Sequence, residues 1–366
     1  MTADLFREVE ARHGRAIQSL AQLREHLEIA LAVEQATLPP YLSALYSIRP
    51  GTNTMAVQAI RSVVMEEMLH MVLVGNIQVA LGGVPRLTQP RFVLRYPSRL
   101  PHAARDLRLG LANFSGDAVQ TFMAIERPAA ADAPPQSDGY HTLGQFYHAL
   151  MAAFTSEPVR GEIERYWQSH PAAATLARQI GPEQYYGSEG VAIRVTNFDS
   201  ALGALQEIVH QGEGFTDRMF TGDGSRSQDG QPWQAAHFYR FEELWLGRAY
   251  QPEDPHGQPG GPLIPLDWSA VHPLRPNSRI ADYRRVNSPA LPRLLAFNQA
   301  YANVLSGVEA AFTGDQAAFQ GAVAAMLQLR VQAVALMHIP SGFGDGTVAA
   351  PSFEPMAPPQ APEAIE

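Results

Sequence analysis

Two glutamates and a histidine stand inside an apolar run at residues 63–83, VVMEEMLHMVLVGNIQVALGG. Glu67 and His70 are three residues apart, so on a helix they share one face, which also carries Val63 and Val74. A buried carboxylate must be paired, protonated or bound to a metal ion, because an unpartnered charge is costly away from water. Glu-x-x-His pairs that project into helical bundles bind iron or manganese in one class of proteins. The segment indicates two metal ligands; the alternatives are a surface pair or a buried histidine bonded to other groups.

Glu34 lies in the preceding predicted helix, which recurring leucines place at residues 17–46. The short turn RPGTN joins this helix to the next one, and two long helices with a short connection should be antiparallel. Glu34 would then face Glu67 and His70 across the hairpin. The alternatives are that Glu34 caps a kink at the two following prolines or pairs with an arginine.

A second metal ion would need further ligands, and two segments offer them. ALQEIVHQGEG contains Glu207, His210 and Glu213 at successive spacings of three, and the first two repeat the Glu-x-x-His pattern. AAHFYRFEELWLG places His237 on an apolar face, whereas Glu242 reaches that face only if the helix contains a π-bulge. Periodicity alone leaves the choice among these residues open.

Glu126, in FMAIERP, ends a predicted helix beside an arginine and a proline, and a structural role is predicted for it. It is therefore not among the predicted metal ligands.

The composition excludes several other kinds of site. The chain has 366 residues and no cysteine, and none of its basic residues is lysine, which excludes thiolate haem, ordinary iron–sulfur ligation and a lysine Schiff base with pyridoxal phosphate. A formal charge of −9 with no basic run argues against nucleic acid or an anionic membrane as the partner. The first residues have no apolar signal core, so a cytoplasmic location is expected.

The periodicity predicts a mainly α protein with one short strand near RFVLRYP. One domain is expected over residues 1–350, with irregular insertions at about 84–140 and 250–285 and a Pro-rich, disordered tail at 351–366. Beyond the first hairpin, helices are predicted over GDAVQTFMAIE, TLGQFYHALMAAF, VRGEIERYWQSH, 199–220, 234–247, 289–312 and 315–337.

LAVEQATLPPYLSALYSIRPGTN and IRSVVMEEMLHMVLVGNIQVALGGVPRL closely resemble the ferritin-like domain of the iminophenyl-pyruvate dimer synthase family of bis-indole pigment biosynthesis. IVHQGEG, HFYRFEEL and the segments NQAYANVL and QLRVQAVALM extend the resemblance over about residues 17–354. The pigment-pathway members are much longer chains, and Gln145 stands where relatives are expected to have glutamate, so the resemblance implies the fold more strongly than the imine-coupling activity.

The resemblance implies a ferritin-like four-helix bundle with additional C-terminal helices and long irregular connections. The metal ligands predicted from it and from the residues are Glu34, Glu67, His70, Glu213 and His237, with Glu207, His210 and Glu242 in reserve. Iron, as one or two ions, is the predicted cofactor, and manganese is the alternative. The expected partner is a small, aromatic molecule, and a homodimer is left open.

The predicted function is metal-dependent oxidation of a small aromatic or amino-acid-derived intermediate in secondary metabolism. One alternative is a non-catalytic scaffold that binds metal or ligand. The other is a peroxide scavenger of the manganese-catalase type.

Overall fold

The computed structural model describes residues 16–89, 92–104, 107–130, 132–171, 173–185, 190–213, 219–220 and 235–356. Within them, the helices are α1 (Leu20–Ser47), α2 (Thr54–Ala80), α3 (Gly116–Ile125), α4 (Leu143–Thr155), α5 (Glu157–Ser169), α6 (Ala173–Leu176), α7 (Phe198–Ile208), α8 (His237–Leu246), α9 (Ile280–Arg285), α10 (Leu291–Ala311) and α11 (Gln316–Met337). A π-helix (Val209–Glu213) continues α7. The short strands β1 (Ser98–Arg99) and β2 (Arg108–Leu109) pair antiparallel. The mainly α prediction is confirmed.

Helices α1 and α2 form an antiparallel hairpin. Arg24 near the start of α1 donates a hydrogen bond to the carbonyl of Leu81 after the end of α2, and Thr37 farther along α1 donates to Glu67 in the middle of α2. The leucine stripe of α1 and the apolar run of α2 are buried against each other. This burial holds the site-bearing faces of the two helices together.

Helix α1 continues through Pro39 and Pro40 to Ser47, so it does not end at the two prolines. Each proline removes a backbone donor and disfavours helix locally. The helix persists because both prolines and the following Tyr41 are buried in the core.

The predicted strand near RFVLRYP is displaced. Val93 and Tyr96 are buried, and the Tyr96 hydroxyl donates to the carbonyl of Ala36 on α1. These side chains pack against helices and need no sheet, so the two-residue strand β1 begins only after them.

The remaining helices surround the hairpin. Helices α3, α7 and α8 pack against α1 or α2, and α4 packs against α1, α5 and α7. Helices α10 and α11 pack against each other, and α11 also contacts α1. The helix predicted over residues 199–220 becomes α7 plus the π-helix as far as Glu213, and residues 214–218 lie outside the described part.

Helices α2 and α11 are long and apolar enough to cross a membrane by length and composition. The most apolar window of α2 is 89% buried inside the protein, so α2 is a core helix. The corresponding window of α11 is 28% buried.

The start of the predicted disordered tail is packed in the core. Phe353 is fully buried and contacts the rings of Phe297 and Tyr301 on α10 edge to face. The disorder predicted from residue 351 is therefore wrong for residues 351–356, because this aromatic side chain contributes enough buried surface to order the segment. Residues 357–366 lie outside the described part of the chain.

Candidate metal centre

Five ionisable side chains from four helical segments meet inside the bundle, and each is at most 2% exposed. They are Glu34 on α1, Glu67 and His70 on α2, Glu126 at the end of α3, and His237 at the start of α8. They form two groups of three potential metal ligands, within each of which the ligand atoms lie within 4.8 Å of one another. Glu67 belongs to both groups.

The distances within the cluster place Glu67 between the two histidines. His70 Nδ1 lies 3.3 Å from Glu34 Oε2 and 3.9 Å from Glu67 Oε1. His237 Nδ1 lies 3.1 Å from the same Glu67 oxygen and 3.5 Å from Glu126 Oε2. Glu67 Oε1 therefore lies near the Nδ1 atoms of both histidines, and Glu67 could contribute to either ligand group.

The outer nitrogens of both imidazoles contact hydrogen-bond acceptors. His237 Nε2 lies 2.7 Å from Glu66 Oε2, and His70 Nε2 lies 3.1 Å from Gln211 Oε1. Gln211 donates through its own Nε2 to Glu207, which leaves its oxygen to accept from His70. In their neutral forms, both imidazoles then carry their proton on Nε2 and a lone pair on Nδ1.

The lone pairs on Nδ1 face carboxylate oxygens, and such contacts repel unless a proton or a metal cation lies between them. His70 Nδ1, His237 Nδ1 and Glu126 Oε2 are buried and have no hydrogen-bond partner. A metal ion in each group would satisfy these atoms with the nitrogen and oxygen donors that iron and manganese accept. The residues present therefore fit a metal centre.

Hydroxyl groups hold the outer oxygen of each carboxylate in the cluster. Thr37 donates to Glu67 Oε2 over 2.5 Å, and the phenols of Tyr147 and Tyr41 donate to Oε1 of Glu34 and Glu126, respectively. Each carboxylate thus directs its other oxygen toward the histidines. This support orients the ligands in advance.

Burial makes the charges of this cluster expensive in the absence of metal. Burial, opposed by the hydrogen bond from Tyr147 and reinforced by the charge of Glu126, raises the pKa of Glu34 to about 8. Burial and the charges of Glu126 and Glu34 raise the pKa of Glu67 to about 7. Two or more carboxylates that share one site do not ionise freely without a compensating cation.

The two histidines have pKa shifts of opposite direction. Burial lowers the pKa of His70, and the nearby charge of Glu67 opposes this only in part. Burial would also lower the pKa of His237, but Glu126, Glu66 and Glu67 raise it well above its ordinary value. In the metal-free protein, His237 is thus the imidazole that holds an additional proton.

The π-helix brings its backbone against both imidazoles. A Cβ atom on Gly212 would lie 3.2 Å from His237 Nδ1 and 3.2 Å from His70 Cε1. Glycine permits this close approach, because a Cβ there would press the imidazoles outward by a few tenths of an ångström, and the irregular turn of a π-helix is a common device at functional sites. A π-bulge in α8 was the condition for Glu242 to reach the apolar face, whereas the π-helix lies at the end of α7.

The structure brings together four of the five predicted metal ligands, namely Glu34, Glu67, His70 and His237. Glu213 ends the π-helix directly after Gly212, but its side chain lies outside the described part of the chain, so its role as a ligand stays a prediction.

The three reserve residues lie outside both groups of potential ligands. Glu207 is half-buried and accepts from Gln211, so it supports a side chain that contacts His70. His210 is exposed, because the face that carries it turns away from the core. Glu242 accepts a hydrogen bond from Tyr250 over 2.6 Å.

Two acidic residues of the site have roles that the sequence did not predict. Glu126, predicted to be structural, belongs to the second ligand group. Glu66, adjacent to Glu67, was not singled out; it contacts His237 and forms a buried ion pair with Arg240. The signal available for both was the apolar residues next to them in the sequence, because a carboxylate on a buried face needs a partner.

Gln145, which stands where glutamate was expected, is separate from the metal centre. Its side-chain amide donates to the carbonyl of Pro134 over 3.0 Å, and its backbone N–H is capped by Thr142. It helps to begin α4, and the cluster of Glu34, Glu67 and Glu126 is assembled without it.

Comparisons with known proteins agree with the fold and with the resemblance in sequence. The chain is 26% identical, over an alignment of 269 residues, to 2-imino-3-(indol-3-yl)propanoate dimerase of Chromobacterium violaceum. That alignment covers 62% of this chain and 23% of the dimerase, so this chain spans less than a quarter of that relative.

A solved structure of a ferritin-like protein from Caulobacter vibrioides matches with a TM-score of 0.58 and 23% identity, covering 92% of this chain and all of the other. At that identity, the match supports the fold alone. The Ferritin-like family model matches residues 27–246, which is more than half of the chain and includes every residue of the cluster. The chain belongs to the ferritin-like family.

Proposed function

We propose that this protein is a metal-dependent oxidoreductase whose centre holds two ions of iron or manganese. The observation that carries the proposal is the pair of buried Nδ1 atoms, on His70 and His237, that have no hydrogen-bond partner and lie near the shared oxygen of Glu67. Glu34 would complete the first ion's ligands and Glu126 the second's. Three ligands from the described residues leave coordination positions for an oxidant, a substrate or a further carboxylate.

The chain's own residues would prepare the site for this chemistry. Bound iron or manganese would supply electron exchange with dioxygen or peroxide. Tyr147, Thr37 and Tyr41 orient the carboxylates, while Glu66 and Gln211 hold the imidazoles. The burial of all these groups excludes bulk water and so protects a reactive oxidant from side reactions.

The proposed substrate class is a small aromatic or amino-acid-derived intermediate, such as an imine of an aromatic 2-oxo acid. The name of the Chromobacterium violaceum relative supports this class. Coupling two such molecules forms one C–C bond and breaks two C–H bonds, and the two electrons and two protons released reduce one peroxide to two waters. Dioxygen would instead be reduced to peroxide.

The first experiment measures metal in protein purified without chelator. We expect iron or manganese at up to two ions per chain. His70→Ala should lower the metal content several-fold, because loss of one ligand or its support typically costs roughly 10 to 100-fold in affinity. His210→Ala is the matched control, since His210 is exposed on the neighbouring π-helix. Wild-type protein that retains no metal would contradict the proposal.

The second experiment follows oxidant consumption by the metal-loaded protein in the presence of 2-imino-3-(indol-3-yl)propanoate generated in place. We expect consumption that depends on this substrate and disappears in His70→Ala. Oxygen evolution from peroxide alone would instead identify a catalase-like activity. Retained metal without substrate-dependent consumption of either oxidant would favour a binding scaffold.

A further inference from the structure

The two imidazoles of the cluster are supported by chemically different groups. His237 Nε2 contacts a carboxylate oxygen of Glu66 at 2.7 Å, whereas His70 Nε2 contacts the amide oxygen of Gln211 at 3.1 Å. Both supports are buried. The primary ligands do not share this asymmetry, because each group has one carboxylate of its own, one imidazole and the shared Glu67.

Glu66 is held as an ionised acceptor. Arg240 Nη1 lies 2.9 Å from Glu66 Oε2, and Arg240 Nη2 donates to Oε1 over 2.9 Å. The contact of Glu66 with His237 is therefore a short, charge-assisted hydrogen bond.

Gln211 is a weaker support for His70. It is neutral, its contact with His70 is 0.4 Å longer than that of Glu66 with His237, and it lies on the π-helix. Its Nε2 donates to Glu207 over 2.8 Å, so the nearest carboxylate on this side acts only through the amide. A carboxylate behind a ligating histidine raises the basicity of the imidazole and strengthens its bond to a metal, and an amide does so less.

We propose that the two metal positions are inequivalent, with the ion at Glu67, Glu126 and His237 bound more tightly than the ion at Glu34, Glu67 and His70. Glu66 and Gln211 are the positioning residues that set this difference. The inference rests on the proposed metal centre and adds an order of loading to it: the His237 position fills first and empties last.

The first test titrates the metal-free protein with Mn²⁺ and follows free Mn²⁺ by electron paramagnetic resonance. Wild-type protein should bind two ions in two resolved steps. His237→Ala should abolish the tight step, and His70→Ala the weak one. Glu66→Gln should weaken the tight step by roughly 10 to 100-fold and leave the weak step within about twofold.

A second variant keeps the test valid if Glu66→Gln unfolds, since that change also removes the carboxylate partner of buried Arg240. The double variant Glu207→Gln with Gln211→Glu exchanges the two side chains without changing the net charge. The amide at 207 then donates to a carboxylate at 211, which stands directly behind His70. The weak step should tighten by about tenfold, while the tight step stays unchanged.

The outcomes separate this inference from the proposed function. Wild-type protein that binds no Mn²⁺ contradicts both. Two steps of equal affinity contradict the inequivalence alone, and so does loss of the tight step in His70→Ala. An unchanged ratio of the two affinities in the double variant would show that Gln211 and Glu66 do not set the difference.

Discussion

Removal of metal should make the stability of this protein strongly dependent on pH above 6.5. Without a cation, the buried carboxylates Glu34 and Glu67 retain protons near neutral pH, with pKa values of about 8 and about 7. The ordinary value for both, which applies to the unfolded chain, is 4.5. The folded metal-free protein therefore binds protons that the unfolded chain has already released.

The direction of the pH dependence follows from this difference in bound protons. Where the folded state binds more protons than the unfolded state, the free energy of unfolding falls as the pH rises toward the folded pKa. The raised pKa of His237 also makes stability fall as the pH rises. Its stabilising contribution is complete below pH 6.5, the ordinary pKa of histidine, and is lost as the pH rises through the pKa of the folded state. The lowered pKa of His70 changes stability only below pH 6.5, so the interval from 6.5 to 8 avoids it.

The loss of stability due to the two carboxylates depends on how many protons they release from the folded protein. One proton bound only in the folded state changes the free energy of unfolding by about 1.4 kcal/mol per pH unit. Over one and a half pH units, Glu34 therefore contributes about 2 kcal/mol and Glu67 less than about 1 kcal/mol. These two carboxylates alone should cost the metal-free protein about 2 to 3 kcal/mol of stability between pH 6.5 and 8, and His237 adds to that loss.

The assay is urea denaturation of metal-free and metal-loaded protein at both pH values. The loaded protein should not show the loss, because the cation compensates the ionised carboxylates. In metal-free protein, Glu34→Gln replaces the protonated carboxyl with a neutral side chain of the same shape. This variant should lose about 2 kcal/mol less than the wild type while binding metal more weakly. An equal pH dependence with and without metal, unaltered by Glu34→Gln, would refute the reasoning and show that the carboxylates are solvated.

Three further predictions concern particular side chains. Glu126→Gln should lower the metal content several-fold, whereas Glu242→Gln, outside both ligand groups, should leave it unchanged in the same elemental analysis. Gly212→Ala should lower the metal content because the new Cβ would press on both imidazoles. The control is Gly203→Ala on α7, where a Cβ meets nothing within 4 Å; this change should stabilise the protein by up to about 1 kcal/mol. Phe353→Ala should lower the free energy of unfolding by about 3 to 5 kcal/mol in urea, and a loss below about 1 kcal/mol would show that the last described residues add little to the core.

The first half of the cluster was predictable because its geometry is local. Glu67 and His70 share a face through helical periodicity alone, and the short turn before α2 brings Glu34 opposite them. His237 was also predictable as a buried residue, from the apolar face that it shares with Phe241 and Leu244.

The second half was less predictable because it depends on contacts between distant segments. Glu126 is the C-cap of α3, where periodicity no longer indicates direction, and its neighbours favoured a structural interpretation. The hydroxyl of Tyr41, 85 residues earlier in the chain, holds this carboxylate in the cluster. The choice among Glu207, His210 and Glu213 depends on the π-helix, which contains the last two and changes their directions relative to Glu207.

The amino-acid sequence predicts the helical hairpin, excludes thiolate and lysine chemistry, and requires a partner for the carboxylates in an apolar core. These conclusions follow from residue types and short-range spacing, which act in any fold. Packing between distant segments brings Glu126 into the cluster, places Glu67 between the two histidines, and gives the two imidazoles different supports. A helix determines the direction of a side chain only to within a face, whereas a metal ligand must be placed to within a fraction of an ångström. That precision comes from packing between segments that are far apart in the chain.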